Sequence, residues 1–391
     1  MQYTVACNWD PELLDRIDYP EVKSVFSALP DTVISGGRSS VVTRNIDEDS
    51  LREYIKKIHQ KGWSFDFNIN SSCISNKEFT ESGHKEILNY LEWAVNLGVD
   101  SFTVSIPLLV EKIKRYFPDK QVKISTYQKI NTVAMAQRFE ELGADAIMLS
   151  EHVNRDFELL KAIRRSVKCK IVLIANAGCI YGCANMLTHA NNIAHSGAKG
   201  CQDTIFNESN QAYCLQKRLE STSELIKMRW IRPEDVSYYE EIGIDMLKII
   251  DRNSSTEALA ERVKAYNDRH FDGNLLDLVG QMINKKKCTV MDVGRLMAGK
   301  GENEIPKIRR FLEIFSICIP DLLYLNNKKI PSDFLKQFEQ RNCANLSCSE
   351  CGYCQKVADD IIRVSNTDEM QNALSQVKSV RGNIADGSIL Y

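Results

Sequence analysis

The stretch Glu141-Leu-Gly-Ala-Asp-Ala-Ile-Met-Leu149 joins the end of an amphipathic helix pattern to a short apolar run. Glycine commonly ends a helix, and an acidic turn before an apolar run is typical of a loop that leads into a buried strand. The stretch Asn96-Leu-Gly-Val-Asp-Ser-Phe-Thr-Val104 repeats this order of elements. The recurrence indicates helices that alternate with the strands of a parallel sheet.

Short runs of strand type recur along the first part of the chain. Several are continuously apolar, as expected of strands that are covered on both faces. The predicted strands are Tyr3–Cys7, Thr32–Ser35, Ser64–Asn68, Ser101–Ser105, Val122–Ser125, Ala146–Leu149, Ile171–Ala175, Lys227–Ile231 and Met246–Ile250. Between them, Ser50–Gln60 and Thr132–Leu142 place their apolar residues along one helical face.

Alternation of this kind over about 250 residues predicts an α/β fold of the TIM type, a (β/α) barrel. A dinucleotide-binding sheet is less favoured, because no G-x-G-x-x-G motif follows the first strand. The rhythm changes after Arg252, where Asn253–Tyr266 and residues 304–340 have helical patterns. We therefore predict a barrel over residues 1–252, a helical extension over 253–335 and a cysteine-rich, metal-binding module over 336–391.

The composition bounds the class of protein. The chain has 391 residues, of which 43% are hydrophobic and 26% are charged, so it can form a large folded domain with an appendage. A net charge of −2 does not indicate a general nucleic-acid binder, although a local basic patch stays possible. We expect no membrane span and no secretory signal, and hence a cytoplasmic protein whose 13 cysteines stay reduced unless they bind metal.

Cys179 and Cys183 follow the predicted strand Ile171–Ala175, at the end of a barrel strand where the loops carry chemistry. Their spacing lets two thiolates turn toward one metal, and thiolates suit iron–sulfur clusters and zinc. Cys201 and Cys214 complete the simplest set of four ligands. The alternative for these last two is that they are ordinary buried thiols.

A second group of cysteines lies near the end of the chain. Cys343, Cys348, Cys351 and Cys354 fall within twelve residues, and thiolates separated by two residues are typical of metal sites. The sequence predicts a second metal centre here, either an iron–sulfur cluster or a structural zinc. The alternative is an exposed, reduced loop, which would oxidise readily.

Other polar residues are candidates for catalysis or substrate binding. His189 follows the first cysteine pair and could bind substrate or donate a proton, or it could be a core histidine. Arg38 follows Gly36-Gly37 and could clamp a carboxylate or phosphate, or belong to a plain loop. Arg232, Glu234 and Lys248 lie in or just after the last two predicted strands.

Together these features resemble the peptidase U32 family. The resemblance covers about residues 1–270. It depends on Thr32-Val-Ile-Ser-Gly-Gly37, on Asn70 and Cys73 ahead of Glu78-Phe79, on Gly98–Pro107, on Asn176-x-Gly-Cys179-x3-Cys183 with His189, and on Ile231-Arg-Pro-Glu-Asp235 followed by Tyr239, Gly243 and Lys248–Arg252. Asn70 joins the candidate site residues on this ground.

The resemblance implies a barrel with a 4Fe–4S cluster held by four cysteines. It also implies oxygen-independent hydroxylation of an RNA base or small molecule. Two alternatives are a hydrolase, as the family name says, and a non-catalytic subunit that pairs with a second U32-type chain. For a peptidase, the sequence has neither a G-x-S-x-G nor an H-E-x-x-H motif.

The chain departs from the better-known members of the family at two points. They have an acidic-Gly-Arg ending where this chain has Ile250-Asp-Arg252, and their last ligand falls near Met228-Arg-Trp230. The fourth ligand is therefore open, and Cys73 is a rival to Cys201.

Overall fold

Parallel strands close into an eight-stranded barrel in the computed structural model, which describes residues 1–199, 209–280 and 305–390. Each strand pairs with the next along the chain, and the last pairs with the first, with Tyr3 opposite Leu247. The strands are β1 (Gln2–Ala6), β2 (Val22–Ser27), β3 (Ser64–Ile69), β4 (Ser101–Val104), β5 (Gln121–Ile124), β6 (Ala146–Met148), β7 (Lys170–Ile174) and β8 (Met246–Ile249). The predicted TIM-type fold is confirmed.

Helices surround the barrel and continue beyond it. They are α1 (Pro11–Arg16), α2 (Glu48–Gln60), α3 (Glu81–Leu97), α4 (Pro107–Tyr116), α5 (Val133–Glu141), α6 (Phe157–Ser166), α7 (Met186–Ser196), α8 (Ser209–Glu220), α9 (Ser223–Lys227), α10 (Val236–Ile242), α11 (Thr256–Asp268), α12 (Ile305–Glu313), α13 (Ile319–Leu322), α14 (Lys336–Glu339), α15 (Cys348–Cys351), α16 (Tyr353–Ile361) and α17 (Thr367–Ala385). Gly98 and Gly143 follow α3 and α5 with φ angles of 100° and 99°, as the loop pattern predicts.

Two predicted strands are wrong, and one strand of the barrel is not among those predicted. Thr32–Ser35 is a loop with a single bridge from Thr32, and its apolar signal comes from Ile34, which is fully buried without being in a sheet. Lys227–Ile231 contains the end of α9 and an irregular segment that joins β7 through a hydrogen bond from Ile231 to Ala175. Strand β2 lacks a continuous apolar run, because it mixes apolar residues with Lys23 and serines.

The C-terminal part of the chain is attached to the barrel by packing and pairing. Strands β9 (Leu323–Leu325) and β10 (Ile362–Val364) form an antiparallel pair that joins the predicted extension to the predicted module. The predicted extension therefore contains a short strand, and its residues 281–304 lie outside the described residues. Helix α17 packs against α8, where Lys378 forms an ion pair of 3.3 Å with Glu220. Among the described residues, no helix is long and apolar enough to cross a membrane.

Candidate functional site

A cavity opens at the carboxyl end of the barrel, where the loops after β5, β6 and β7 meet α7, α8 and the segment 314–319. We call it the rim cavity; its volume is about 120 Å³. Its polar and sulfur-bearing lining comprises Arg38, Thr126, Tyr127, Lys129, Glu151, His152, Cys179, Cys183, His189, Gln211, Cys214 and Arg218. The structure therefore brings three predicted ligands together with two predicted catalytic residues.

The segment before Cys179 is fixed by backbone packing. The side chain of Asn176 donates to the carbonyls of Ile250 and Leu278 at 3.2 and 3.1 Å, and accepts from the amide of Ile250 at 2.8 Å. A side chain at Gly178 would place its Cβ 2.2 Å from the carbonyl oxygen of Gly280. The Asn-x-Gly-Cys motif is therefore a tight joint that presents Cys179 to the cavity.

Three thiols line the rim cavity. The thiol of Cys214 donates to the sulfur of Cys183, and this hydrogen bond lowers the pKa of Cys183. Burial, reinforced by the nearby Glu151 carboxylate, raises the pKa of Cys179 to about 12. Within the described ranges, no three Cys, His, Asp or Glu side chains already surround one point as they would around a single metal ion. A cubane takes one thiolate at each of four irons, so the donor chemistry of these thiols fits a cluster with one further ligand.

A buried ion pair, which the sequence patterns do not indicate, lies beside Cys179. Lys129 and Glu151 are 2.6 Å apart, with side chains 12% and 3% exposed. Burial alone would raise the pKa of Glu151, but Lys129, helped by His152, lowers it to about 2. Both residues come shortly after a strand, β5 or β6, at the catalytic end of the barrel. That position is the signal that could have found them.

His189 lines the rim cavity together with several cationic residues. Burial, with the positive charges of Arg38 and Lys129, lowers the pKa of His189 to about 4, so its imidazole is neutral at pH 7. In the described part of the chain, its Nε2 atom is buried without a hydrogen-bond partner. Arg38 is 3.4 Å from Asp251, and Arg218 donates to the carbonyl of Gly178. The cavity thus combines guanidinium groups with a neutral imidazole.

Most of the barrel sequence matches a known protein family. The model of peptidase family U32 matches residues 21–274. The chain belongs to this family. An uncharacterised protease of Methanocaldococcus jannaschii is 26% identical over 347 residues, covering 87% of this chain and 89% of that protein. The tRNA hydroxylation protein P1 of Bacillus subtilis is 23% identical over 274 residues, covering 67% and 63%. The solved structure of a U32 peptidase has a TM-score of 0.48 at 19% identity, covering 63% of this chain and 91% of that one.

Four predicted catalytic residues of this U32 protein lie away from the rim cavity. Asn70 donates to the hydroxyl of Ser125 at 2.9 Å. Arg232 is held by Asp235 through two hydrogen bonds of 2.7 Å. The other two face different surroundings. Glu234 accepts from the amide of Phe271 and the side chain of Asn327, both at 2.8 Å, and Lys248 lies inside the barrel with its Nζ 3.8 Å from the ring centre of Phe26.

Cys201 and Cys73 are the two candidates for the fourth ligand at the rim cavity. Cys201 lies outside the described residues. Cys73 accepts a hydrogen bond from the amide of Ser75 at 3.4 Å and is not among the residues that line the rim cavity. The described residues that could hold a cluster at this site are therefore Cys179, Cys183 and Cys214.

The four C-terminal cysteines share a second cavity, which we call the tail cavity. Its volume is about 400 Å³, and its lining includes Tyr181, Lys227, Arg229, Arg341, Cys343, Cys348, Cys351 and Cys354. The predicted grouping of these thiols around one space is present. Tyr181 belongs to the loop between Cys179 and Cys183, so the tail cavity adjoins the rim loop.

Proposed function

We propose that this U32 protein is an iron–sulfur enzyme that modifies an RNA base or a small molecule by oxygen-independent hydroxylation. The observation that carries the proposal is the meeting of Cys179, Cys183 and Cys214 in one cavity at the catalytic end of the barrel. The relative named as a tRNA hydroxylation protein supports the choice of chemistry and of an RNA substrate. Free thiols persist in a reducing compartment, so a cytoplasmic setting is part of the proposal.

Cysteines 179, 183 and 214 would hold a 4Fe–4S cluster, with Cys201 as the proposed fourth ligand. The position of Cys73 outside the rim cavity supports Cys201 over that rival. When bound, such a cluster supplies one-electron chemistry or a Lewis-acidic iron.

The chain's own residues suit a planar substrate with polar edges. Ile193, Phe315 and Ile317 give the rim cavity an apolar wall that excludes water and can pack against a ring. Arg38 and Lys129 present positive charge where a phosphate, carboxylate or developing oxyanion can bind. The neutral imidazole of His189, whose buried Nε2 has no hydrogen-bond partner among the described residues, can form a hydrogen bond with a substrate hydroxyl or ring nitrogen.

Peptide hydrolysis is less well supported, because the sequence has neither a G-x-S-x-G nor an H-E-x-x-H motif. A nucleophilic cysteine acts as its thiolate and needs a lowered pKa. Among the thiols of the rim cavity, Cys183 has a lowered pKa and is the candidate nucleophile of that alternative, whereas burial and Glu151 raise the pKa of Cys179 to about 12. A role as a non-catalytic partner subunit for a second U32-type chain is the other alternative, and co-purification of such a chain would reveal it.

The test is iron and sulfide analysis of anaerobically purified protein. Replacing Cys179, Cys183 or Cys214 with Ser should each reduce the iron content, because a hydroxyl is a poor substitute for a thiolate. Cys169→Ser is the matched control, since Cys169 is half-buried and does not line the rim cavity. The same analysis of Cys201→Ser and Cys73→Ser assigns the fourth ligand.

Mass spectrometry of RNA and of small metabolites, from cells with and without the gene, identifies the product. The proposal expects a species that is heavier by one oxygen atom and depends on Cys179. Full iron content in the three cysteine variants would contradict the proposal.

A further inference from the structure

The four C-terminal cysteines come from one compact turn of chain. Cys348 and Cys351 are the ends of the short helix α15, Cys354 lies in the first turn of α16, and Cys343 lies in the preceding loop. All four line the tail cavity, although they are spread over twelve residues. Folding therefore brings the four cysteines to one cavity, which the barrel residues Tyr181 and Arg229 also line.

Arg229 is a buried cation that faces this space. It is 4% exposed, and within the described residues its Nε and Nη1 atoms are buried without a hydrogen-bond partner. Its guanidinium carbon lies 3.9 Å from the centre of the Tyr181 ring and 5.5 Å from the centre of the Phe338 ring, but neither ring is an anion. Buried guanidinium groups normally have an anion or acceptors to satisfy them. An anionic group bound by the four thiolates would give Arg229 a counter-charge and hydrogen-bond acceptors.

The spacing of the cysteines favours iron–sulfur chemistry over zinc. Cys348-x2-Cys351-x2-Cys354 has the C-x2-C-x2-C spacing of cluster-binding runs. A zinc ion needs four sulfurs at about 2.3 Å from a single point. The tail cavity, at about 400 Å³, is larger than one ion requires and leaves room for a cluster.

We infer that Cys343, Cys348, Cys351 and Cys354 hold a second iron–sulfur cluster, of the 4Fe–4S type, in the tail cavity, with Arg229 as its buried counter-cation. The site is separate from the rim cavity, with which it shares no cysteine. It is also adjacent to it, because the Tyr181 ring lies 5.5 Å from the ring of His152, a rim-cavity residue.

The test measures iron, sulfide and zinc in the full chain after anaerobic purification. The double variant Cys348→Ser/Cys351→Ser should lose about four irons and four sulfides per chain while the rim-cluster spectrum persists. The reciprocal variant Cys179→Ser/Cys183→Ser should keep about four irons, held at the tail. Because each double variant removes a different centre, a failure of the proposed rim site leaves the tail assignment measurable.

The midpoint potential of the tail cluster distinguishes an electrostatic role of Arg229 from a purely structural one. Removing a positive charge beside a cluster favours its oxidised form, so Arg229→Leu should lower the midpoint potential of the tail cluster, and Arg229→Lys should restore much of it. Stoichiometric zinc at the tail, iron unchanged in Cys348→Ser/Cys351→Ser, or no metal in Cys179→Ser/Cys183→Ser would each overturn the inference. A midpoint potential that is unchanged in Arg229→Leu would overturn the role given to Arg229.

Discussion

Gly178→Ala should damage the joint that presents Cys179, and the structure sets the size of the effect. The added Cβ would lie 2.2 Å from the carbonyl oxygen of Gly280, whereas real Cβ contacts are essentially never below 3.0 Å. The two segments must therefore separate by at least 0.8 Å. Such overpacking costs about 1–3 kcal/mol. The movement also strains the 2.8 Å hydrogen bond from the amide of Gly280 to the carbonyl of Asn176, worth about 0.5–1.5 kcal/mol.

The free energy of unfolding should thus fall by about 2–4 kcal/mol. Urea titration followed by tryptophan fluorescence measures this loss, and iron analysis of the same samples shows whether Cys179 is displaced. Gly382→Ala is the matched control, because Gly382 lies within helix α17 with nothing within 4 Å of an added Cβ. That substitution should stabilise the protein by about 0.5–1 kcal/mol. A Gly178→Ala protein with a loss below about 1 kcal/mol and normal iron content would refute the reasoning.

Two further substitutions test the charged groups of the barrel. Burial lowers the pKa of Lys248 from 10.5 to about 8, so the folded protein binds fewer protons than the unfolded chain between these values, and stability rises with pH across that window. Lys248→Met should therefore stabilise the protein at pH 7 by up to about 3 kcal/mol. This gain in the free energy of unfolding should shrink toward pH 10. A destabilised variant would contradict this account of Lys248. Lys129→Met should cost about 3–5 kcal/mol in urea unfolding at pH 7, since it leaves Glu151 buried without its partner. Lys129→Met/Glu151→Leu should recover much of that loss, and additive losses in the double variant would argue against the pairing.

Local sequence patterns predict those features of the fold that depend on the backbone conformation of a few neighbouring residues. The C-cap glycines Gly98 and Gly143 mark helix ends because only the local φ angle decides them. Thr32–Ser35 and β2 fail for the opposite reason. A buried loop and a buried strand both require apolar residues, and a strand that faces a polar barrel interior does not show a continuous apolar run.

The candidate site is predictable to the extent that its residues follow barrel strands. The grouping of Cys179 and Cys183 depends on adjacency in sequence, which the motif shows directly. Arg232 and Lys248 also lie in or near predicted strands, yet neither lines the rim cavity. Arg232 is bound by Asp235, and Lys248 is enclosed in the barrel interior. Such partners come from the packing of side chains, which no periodic pattern encodes.

The C-terminal segment is part of the rim site as well as of the tail. Ile314, Phe315, Ile317 and Ile319 wall the rim cavity, and they lie beyond residues 21–274, where the family match ends. Helix α8, which carries Cys214, is covered by α17 from the end of the chain. The thiols and cationic groups of the rim thus come from the part of the chain that matches the family, whereas four residues of the apolar wall come from this extension. Since an apolar wall sets the shape of the substrate that a cavity accepts, the choice of substrate should depend on residues outside the family barrel.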